Sequence, residues 1–372
     1  MKLLSSIKDL AANSLLLIMT ITISMLQGCN SDDSKSYYSP QDFSKVKKID
    51  VHAHALTTRP DFVDQAKDDN FTLISLNTEV PYYPLIDSQQ YYVLQLRRNF
   101  PNDIYYVTTF GTATINQAGW ADQQLAYLKR SFDSGAIGIK VWKNIGMTIK
   151  DKDDNFIMID DPVFDPIFSY LEQNNIPVIG HIGEPKNCWL PLDQMTTTND
   201  RSYFASRPQY HMYLHPEYPS YDSIILSRDR LLEKYPNLKF IGAHLGSQEW
   251  DVDEIAKRLD KFPNMSVETA ERWGQLHYQS IQNWQKVHDF FIKYQDRIMY
   301  GTDLNVDGSD DPGKFKNDAH ELWRRDWKYL TTGDSLQSHF VNKRIKGLHL
   351  PKRVIDKIYY ENPKKWYFAK SK

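Results

Sequence analysis

A closed (β/α)8 barrel is the fold class predicted by this 372-residue chain. Three observations predict it. From residue 47 onward, short β-rich runs alternate with amphipathic stretches; there are eight such runs; and histidines, a lysine and an aspartate stand at or near their carboxyl ends. That edge of the strands is where barrel enzymes carry their chemistry. A doubly wound open sheet would share the alternation, but no glycine-rich phosphate loop follows the first strand.

The predicted strands are KIDVHA (48–53), TLISLN (72–77), IYYVTTF (104–110), AIGIKVW (136–142), IPVIGHI (176–182), LKFIGAH (238–244), MSVETA (265–270) and RIMYGTD (297–303). Each is rich in the β-branched and aromatic residues that suit a pleated surface. Between them, WADQQLAYLKRSFDSG, DPVFDPIFSYLEQNN and EWDVDEIAKRLDKFP space their apolar residues by three and four, the helical period. Pro162 and Pro166 fall at or near a first helical turn, where a missing N–H costs nothing. Residues 183–230, after the fifth strand, form a long aromatic connection containing Trp189, Tyr203, Tyr210, Tyr213, Tyr218 and Tyr221, expected to be a lid or binding wall. Its His211 and His215, and His277 and His288 later in the chain, have no evident partners and are expected at the surface or in loops. Residues 305–372 read as a helical C-terminal extension.

The beginning of the chain reads differently. Lys2 and Lys8 precede the apolar run LLLIMTITISMLQGC, too short for a spanning helix and closed by a cysteine. Leu26-Gln27-Gly28-Cys29 resembles a lipobox, which makes residues 1–28 a lipoprotein signal peptide and Cys29 the lipidated residue. An ordinary secretory signal or an N-terminal anchor helix is the other reading. Residues 29–46 are polar, poor in aliphatics and expected to be a flexible tether. Residues 47–372 are then one catalytic-size domain, tied to a bacterial cell envelope through lipid alone. The remaining cysteine, Cys188, has no partner once Cys29 is lipidated, so no internal disulfide is expected. It reads as a small side chain of the lid. The net charge of −2 becomes −3 on removal of residues 1–28, which carry two lysines and one aspartate. Without a basic run, nucleic acid is not an expected partner. A homo-oligomer remains compatible with the sequence.

Within the domain, His52 and His54 end the first strand one residue apart. Alternation points both imidazoles to one face, where they can share an ion at about 2.0–2.1 Å. Asp50 is expected on the same face, as a partner orienting one of them. His181 closes the fifth strand, His244 the sixth and Asp303 the eighth, while Lys140 lies inside the fourth, where a cation is costly to bury. Three neutral imidazoles and a carboxylate suit zinc, with manganese or iron as alternatives.

HAH after the first strand, HIGEP, FIGAHLGS, PNMSVETAERWGQL and RIMYGTD together resemble the amidohydrolase superfamily, and more closely its amidohydrolase-related branch (amidohydrolase family 2). The resemblance spans residue 47 to the YYENPKKWYF end. It implies a metal barrel in which His52, His54 and His181 are ligands and Asp303 is the fourth ligand or the partner of a reacting water. His244 would polarise the substrate or guide the nucleophile. Lys140 would either be carbamylated between two metals or remain free and meet a substrate oxygen; one ion is the favoured count. The branch contains hydrolases, lactonases, decarboxylases and a hydratase. The first expectation is therefore a metal-dependent hydrolase, its activated water attacking a lactone, ester or amide of a small substrate. A non-oxidative decarboxylase of an aromatic or dienoic acid is the alternative, and a non-catalytic ligand-binding lipoprotein the second. Arg272, Glu184, Trp142 and Trp189 are expected to contact substrate, and Glu268 to point inward near the metal.

Overall fold

The computed structural model describes residues 36–368. The expected signal peptide, Cys29 and the first part of the tether, up to residue 35, lie outside the described residues. Eight parallel strands follow one another in chain order: β1 (Lys48–Ala55), β2 (Phe71–Leu76), β3 (Ile104–Val107), β4 (Ile139–Val141), β5 (Val178–Gly180), β6 (Phe240–Gly242), β7 (Met265–Glu268) and β8 (Ile298–Met299). Their ladders run continuously from β1 to β3 and from β4 to β8. Backbone hydrogen bonds bridge both remaining seams. Lys140 N donates to Thr108 O at 2.7 Å, and Val51 N donates to Tyr300 O at 3.0 Å. A ninth strand, β9 (Leu304–Val306), pairs with the end of β1. The eight predicted strands are all present, in a parallel α/β barrel.

The helices of the outer layer are α1 (Asp61–Asp68), α2 (Ile86–Asn99), α3 (Trp120–Asp133), α4 (Asp165–Gln173), α5 (Thr198–Ser206), α6 (Tyr221–Lys234), α7 (Val252–Lys261), α8 (Trp273–Gln282), α9 (Trp284–Lys293) and α10 (Pro312–Thr331). α7 shows why the sequence folds this way. Val252, Ile255 and Leu259 bury one stripe, and the Asp251 carboxylate caps the amino end by accepting from Asp253 N. Inside the barrel, Ile49, Val51, Ile74, Leu76, Val107, Ile179, Ile241 and Met299 pack together. Trp366 and Tyr367, from α12 (Asn362–Tyr367), which follows α11 (Lys352–Asp356), join that cluster at the amino-terminal end of the strands. The opposite mouth is left for the site.

Three expectations need correction. The C-terminal extension is not all helical, because β10 (Ser335–Ser338) and β11 (Lys343–Lys346) form an antiparallel hairpin after α10. The connection 183–230 is less irregular than expected, since it carries α5 and several 3-10 turns. The packed chain begins at Tyr38 rather than at Lys47. Tyr38 Oη donates to Asp356 Oδ1 at 2.6 Å and Phe43 packs against Phe71 and Trp327, so residues 38–46 are anchored by aromatic burial. Among the described residues, no helix is long and apolar enough to cross a membrane.

Candidate metal centre

A bulge in β1 sets the site. Asp50 pairs with Leu73 but Ala53 with Ser75, three steps on one strand against two on the other. An inserted residue inverts the inward–outward alternation. Ile49 and Val51 point into the barrel before the bulge; after it, His52 and His54 do so, while Ala53 and Ala55 join the layer under the helices. Asp50 therefore does not share the face of the histidines. Its carboxylate accepts from Thr302 N, Thr302 Oγ1 and Trp323 Nε1 at 3.1, 2.6 and 3.1 Å. It fixes the chain leaving β8 and orients no ring.

The orienting carboxylate is Glu268, at the end of β7 and fully buried. Glu268 Oε1 accepts from His52 Nδ1 at 2.8 Å and from His244 N at 2.9 Å, and Oε2 accepts from Ala270 N at 2.6 Å. His54 Nδ1 donates to Leu76 O at 2.7 Å, and His244 Nδ1 to Ala270 O at 3.0 Å. A carbonyl can only accept, and so can an ionised carboxylate such as Glu268, so in all three rings Nδ1 carries the proton and Nε2 can offer its lone pair to a metal. The three lone pairs converge. Asp303 Oδ1 lies 3.0 Å from His54 Nε2 and 3.3 Å from His52 Nε2, and Asp303 Oδ2 lies 3.8 Å from His244 Nε2.

His181 borders this cluster through His244, with ring centroids 4.2 Å apart, and the His244 and His52 rings are 4.9 Å apart. Among the described residues, His52, His54 and Asp303 form one group with metal-ligand spacing, and His52, His244 and Glu268 another. His181 is in neither. The buried Nε2 atoms of His181 and His244 have no hydrogen-bond partner. Burial first, and then neighbouring positive or imidazole groups, hold both histidines well below the ordinary imidazole value, which keeps them neutral. Lone pairs of neutral imidazoles, Nδ1 protons tied to acceptors and one carboxylate are the donor set of a divalent-metal site. The residues present fit such an ion.

Two residues owe their aim to left-handed backbone. His244 has φ 56° and ψ 46°, and Asp303 has φ 66°. Non-glycine residues rarely adopt these angles, and strained ones cluster at functional sites. Asp303 N donates to His52 O at 2.7 Å, which secures one of them. Gly301 allows the approach: a Cβ there would meet Glu268 Oε2 at 2.7 Å and His52 Cβ at 2.9 Å.

Lys140 is buried in β4, its Nζ 3.2 Å from His52 Nε2. Burial pulls its ammonium down to about 8 although Asp303 and Glu268 pull the other way. Above the cluster opens a recess of about 440 Å3 lined by His181, His244, Asp303, Glu184, Arg272, Lys143, Asp200, Glu271, Asn305, Tyr82, Tyr83 and others. Arg272 is 7 % exposed; its Nη1 donates to Glu271 O, and its buried Nε has no partner. Glu184 is ion-paired with Lys143. Trp142 and Trp189 do not line this recess. Trp142 faces a neighbouring one, and Trp189 packs on Tyr221 at 5.5 Å. His211 and His277 are not surface residues: His211 Nε2 bonds Leu190 O at 2.7 Å, and His277 Nδ1 bonds Ser338 Oγ at 2.9 Å. The buried Cys188 thiol donates to Tyr210 O.

Lys143, Tyr83 and Glu271 escaped the sequence reading. Lys143 was within its reach, since it follows the fourth strand as His181 follows the fifth.

Residues 49–369 match the family model described as Amidohydrolase. This chain belongs to the amidohydrolase family. It is a metal-dependent enzyme built on the family's barrel. The fold is shared with solved structures at low identity. A protein described as amidohydrolase II is 15 % identical, with TM-score 0.51, 87 % of this chain and 100 % of the other covered. A 2,6-dihydroxybenzoate decarboxylase in complex with 2,6-dihydroxybenzoate is 14 % identical, with TM-score 0.50 and coverage of 87 % and 99 %. An uncharacterised TIM-barrel protein from Bordetella bronchiseptica is 16 % identical, with TM-score 0.49 and coverage of 86 % and 98 %. No curated protein matches this amidohydrolase significantly.

Proposed function

We propose that this amidohydrolase uses one zinc ion to hydrolyse a C–O or C–N bond in a small lactone, ester or amide. The observation that carries the reading is Asp303: one oxygen lies against His52 Nε2 and His54 Nε2, while 26 % of the side chain stays open to the recess. His52, His54 and Asp303, the group with metal-ligand spacing, would hold the ion, with His181 as a further ligand through its buried, unpartnered Nε2, and manganese or iron would accept the same donors. When bound, the cation supplies positive charge that polarises a carbonyl and acidifies water.

The chain's own groups do the rest. Burial alone would raise the Asp303 carboxyl, but the positive charge of a cation held by the same cluster would outweigh it and keep the carboxylate ionised. Asp303 is thus ionised. It takes a proton from the water whose oxygen adds to the carbonyl carbon, and returns it to the oxygen or nitrogen that departs. His244 Nδ1–H is committed to Ala270 O, so Nε2 accepts rather than donates. That favours guiding the nucleophile over polarising the substrate. An unmodified Lys140, buried with its Nζ 3.2 Å from His52 Nε2, would meet a substrate oxygen only at the floor of the recess; a carbamylated Lys140 between two ions is the binuclear alternative. Arg272 and Lys143 supply positive charge to an anionic substrate group, with Glu184 holding Lys143.

The test is elemental analysis together with turnover of ester, lactone and amide panels. About one zinc per chain is expected, lost together with activity in the His52→Ala, His54→Ala double variant. A fully metal-loaded protein inert toward all three panels overturns hydrolysis. Decarboxylation of an aromatic or dienoic acid is the second reading, favoured by the unpartnered Nε of Arg272. CO2 release that Arg272→Ala abolishes would establish it. Membership of an enzyme family stands against a purely ligand-binding lipoprotein. Attachment to the bacterial envelope rests on Leu26-Gln27-Gly28-Cys29 alone. A Cys29→Ala protein that still carries lipid or stays with membranes refutes it.

A further inference from the structure

We infer that the substrate has two arms: an anionic end held over the metal centre and an uncharged, largely apolar arm in a second recess behind Tyr83. The inference rests on the reading that the metal recess holds the reacting group. The second recess, of about 590 Å3, lies where the chain leaves β2, β3 and β4. Both volumes fall within the roughly 300–1,000 Å3 of small-molecule sites. Tyr83 lines both recesses, and its ring packs edge-on against the His54 imidazole at 5.4 Å. The neighbours Trp142 and Lys143 divide the same way, Trp142 to the second recess and Lys143 to the first. One phenol ring therefore stands between the two recesses, beside a candidate ligand.

Charge assigns the arms. The metal recess sets Lys143, Arg272 and the divalent cation it would hold against Asp303, Glu184, Asp200 and Glu271, the last pushed up to about 7 by burial, so positive charge is available there for an anionic group. Lining the second recess there is no Lys, Arg or His among the described residues, but there are two carboxylates, Glu79 and Asp87. Glu79 has its oxygens engaged by Thr112 N at 2.8 Å, Thr112 Oγ1 at 2.6 Å and Asn144 Nδ2 at 2.9 Å. Those donors are neutral, so its charge is uncompensated and a second anion there is repelled. The rest of the wall is uncharged: Val80, Leu85, Ile86, Trp142 and Ile149 give it apolar surface, beside neutral polar side chains such as Thr78, Gln124 and Tyr127. Leu85 and Tyr82, at the two mouths, are 81 % and 76 % exposed, the highest values among large hydrophobic side chains of the described residues. Apolar surface left bare beside an active site fits a ligand that covers it.

The probe is a series of ω-phenylalkanoates, from phenylacetate to 6-phenylhexanoate, titrated by calorimetry into the metal-loaded full chain. The carboxylate is the anionic end and the phenyl ring the arm. We expect binding to tighten roughly tenfold or more once the tether lets the ring pass Tyr83, as burial of a phenyl ring implies. Ile86→Trp, which fills the recess from the start of α2, should remove that gain. Thr148→Trp, at an exposed position on the rim, does the same should the first variant fail to fold. If phenylacetate binds but lengthening adds nothing, or if the gain survives in the folded variants, the second arm is wrong and the metal-site reading stands. If no acid binds, the anionic end is wrong and the inference falls with it, while ester, lactone and amide turnover still judges the hydrolase.

Discussion

Replacing Glu268 by glutamine tests whether a buried carboxylate organises the metal centre. Three N–H groups donate to its two oxygens: His52 Nδ1 and His244 N to Oε1, and Ala270 N to Oε2. Glutamine has one acceptor oxygen. With the oxygen at the Oε1 position, two donors are kept and only Ala270 N–H faces an NH2 group. With the opposite flip, two donors are lost, so the first arrangement prevails. One buried donor without a partner costs about 1–3 kcal/mol. Such a loss shifts the melting temperature by roughly 2–4 °C per kcal/mol in a 150–250-residue domain, and by less in a longer chain. The second effect is on the metal. His52 keeps its orientation but loses an ionic partner that strengthens its Nε2 lone pair, for which a 10–100-fold fall in affinity is typical, here about 1.4–2.7 kcal/mol. Competition against a chromophoric chelator reads that affinity, and a melt of the metal-free protein reads the stability term separately. Metal affinity within about threefold of the parent, with an unchanged metal-free melt, would refute the part given to the Glu268 charge in organising the centre.

Other perturbations separate the remaining claims. Asp303→Asn, at saturating metal, should lower kcat by about 10²–10⁴, the usual worth of a general acid–base group; steady-state turnover within tenfold of the parent removes Asp303 from that role. Gly301→Ala should lower both metal content and stability, by about 1–3 kcal/mol for overpacking, because its Cβ would press on Glu268 Oε2 and His52 Cβ; elemental analysis and denaturant melts check this. His277 is held near 3 by burial against an ordinary 6.5. Its unfolded form therefore binds a proton first as pH falls, and its contribution, complete above pH 6.5, is lost between there and about 3 at up to about 1.4 kcal/mol per pH unit. His277→Asn, which can still bond Ser338, should flatten that part of the stability profile in denaturant melts from pH 7 to 4; an unchanged slope contradicts the buried neutral imidazole.

The fold was legible because it depends on period. Eight apolar runs and their amphipathic partners state a parallel barrel whatever the details of each strand. The site was legible in so far as strand ends converge in any closed barrel, which brings His52, His54, His244 and Asp303 together without knowledge of a single loop. Facing direction was a different matter. Asp50 reads as a neighbour of His52 by simple alternation, and the bulge between Asp50 and Ala53 reverses that. Nothing local in KIDVHAHA marks the inserted residue; it follows from pairing with β2, a partner more than twenty residues away. The aromatic walls failed for a related reason. Trp142 does end its strand beside the site, but the neighbouring Lys143 takes the position over the metal recess and leaves the indole to the second one.

The left-handed residues mark the deeper limit. GAHLGS and YGTD look like strand ends running into turns, and the expected strands continued through His244 and Asp303. Instead the ladders stop at Gly242 and Met299. His244 N turns to Glu268 Oε1 and Asp303 N to His52 O. Each bond joins a strained residue to a group supplied by a different strand, so the strain is sustained only in the assembled barrel. Leu245, a bulkier left-handed residue at φ 58°, follows His244 and has no site chemistry of its own. Its angle is the consequence of a turn so tight that a Cβ on Gly242 would meet Gly246 Cα at 2.8 Å. The same contacts that aim the imidazole and the carboxylate thus hold the backbone where local preference opposes it. Mutations in this shell should therefore disturb metal binding and folding together rather than separately.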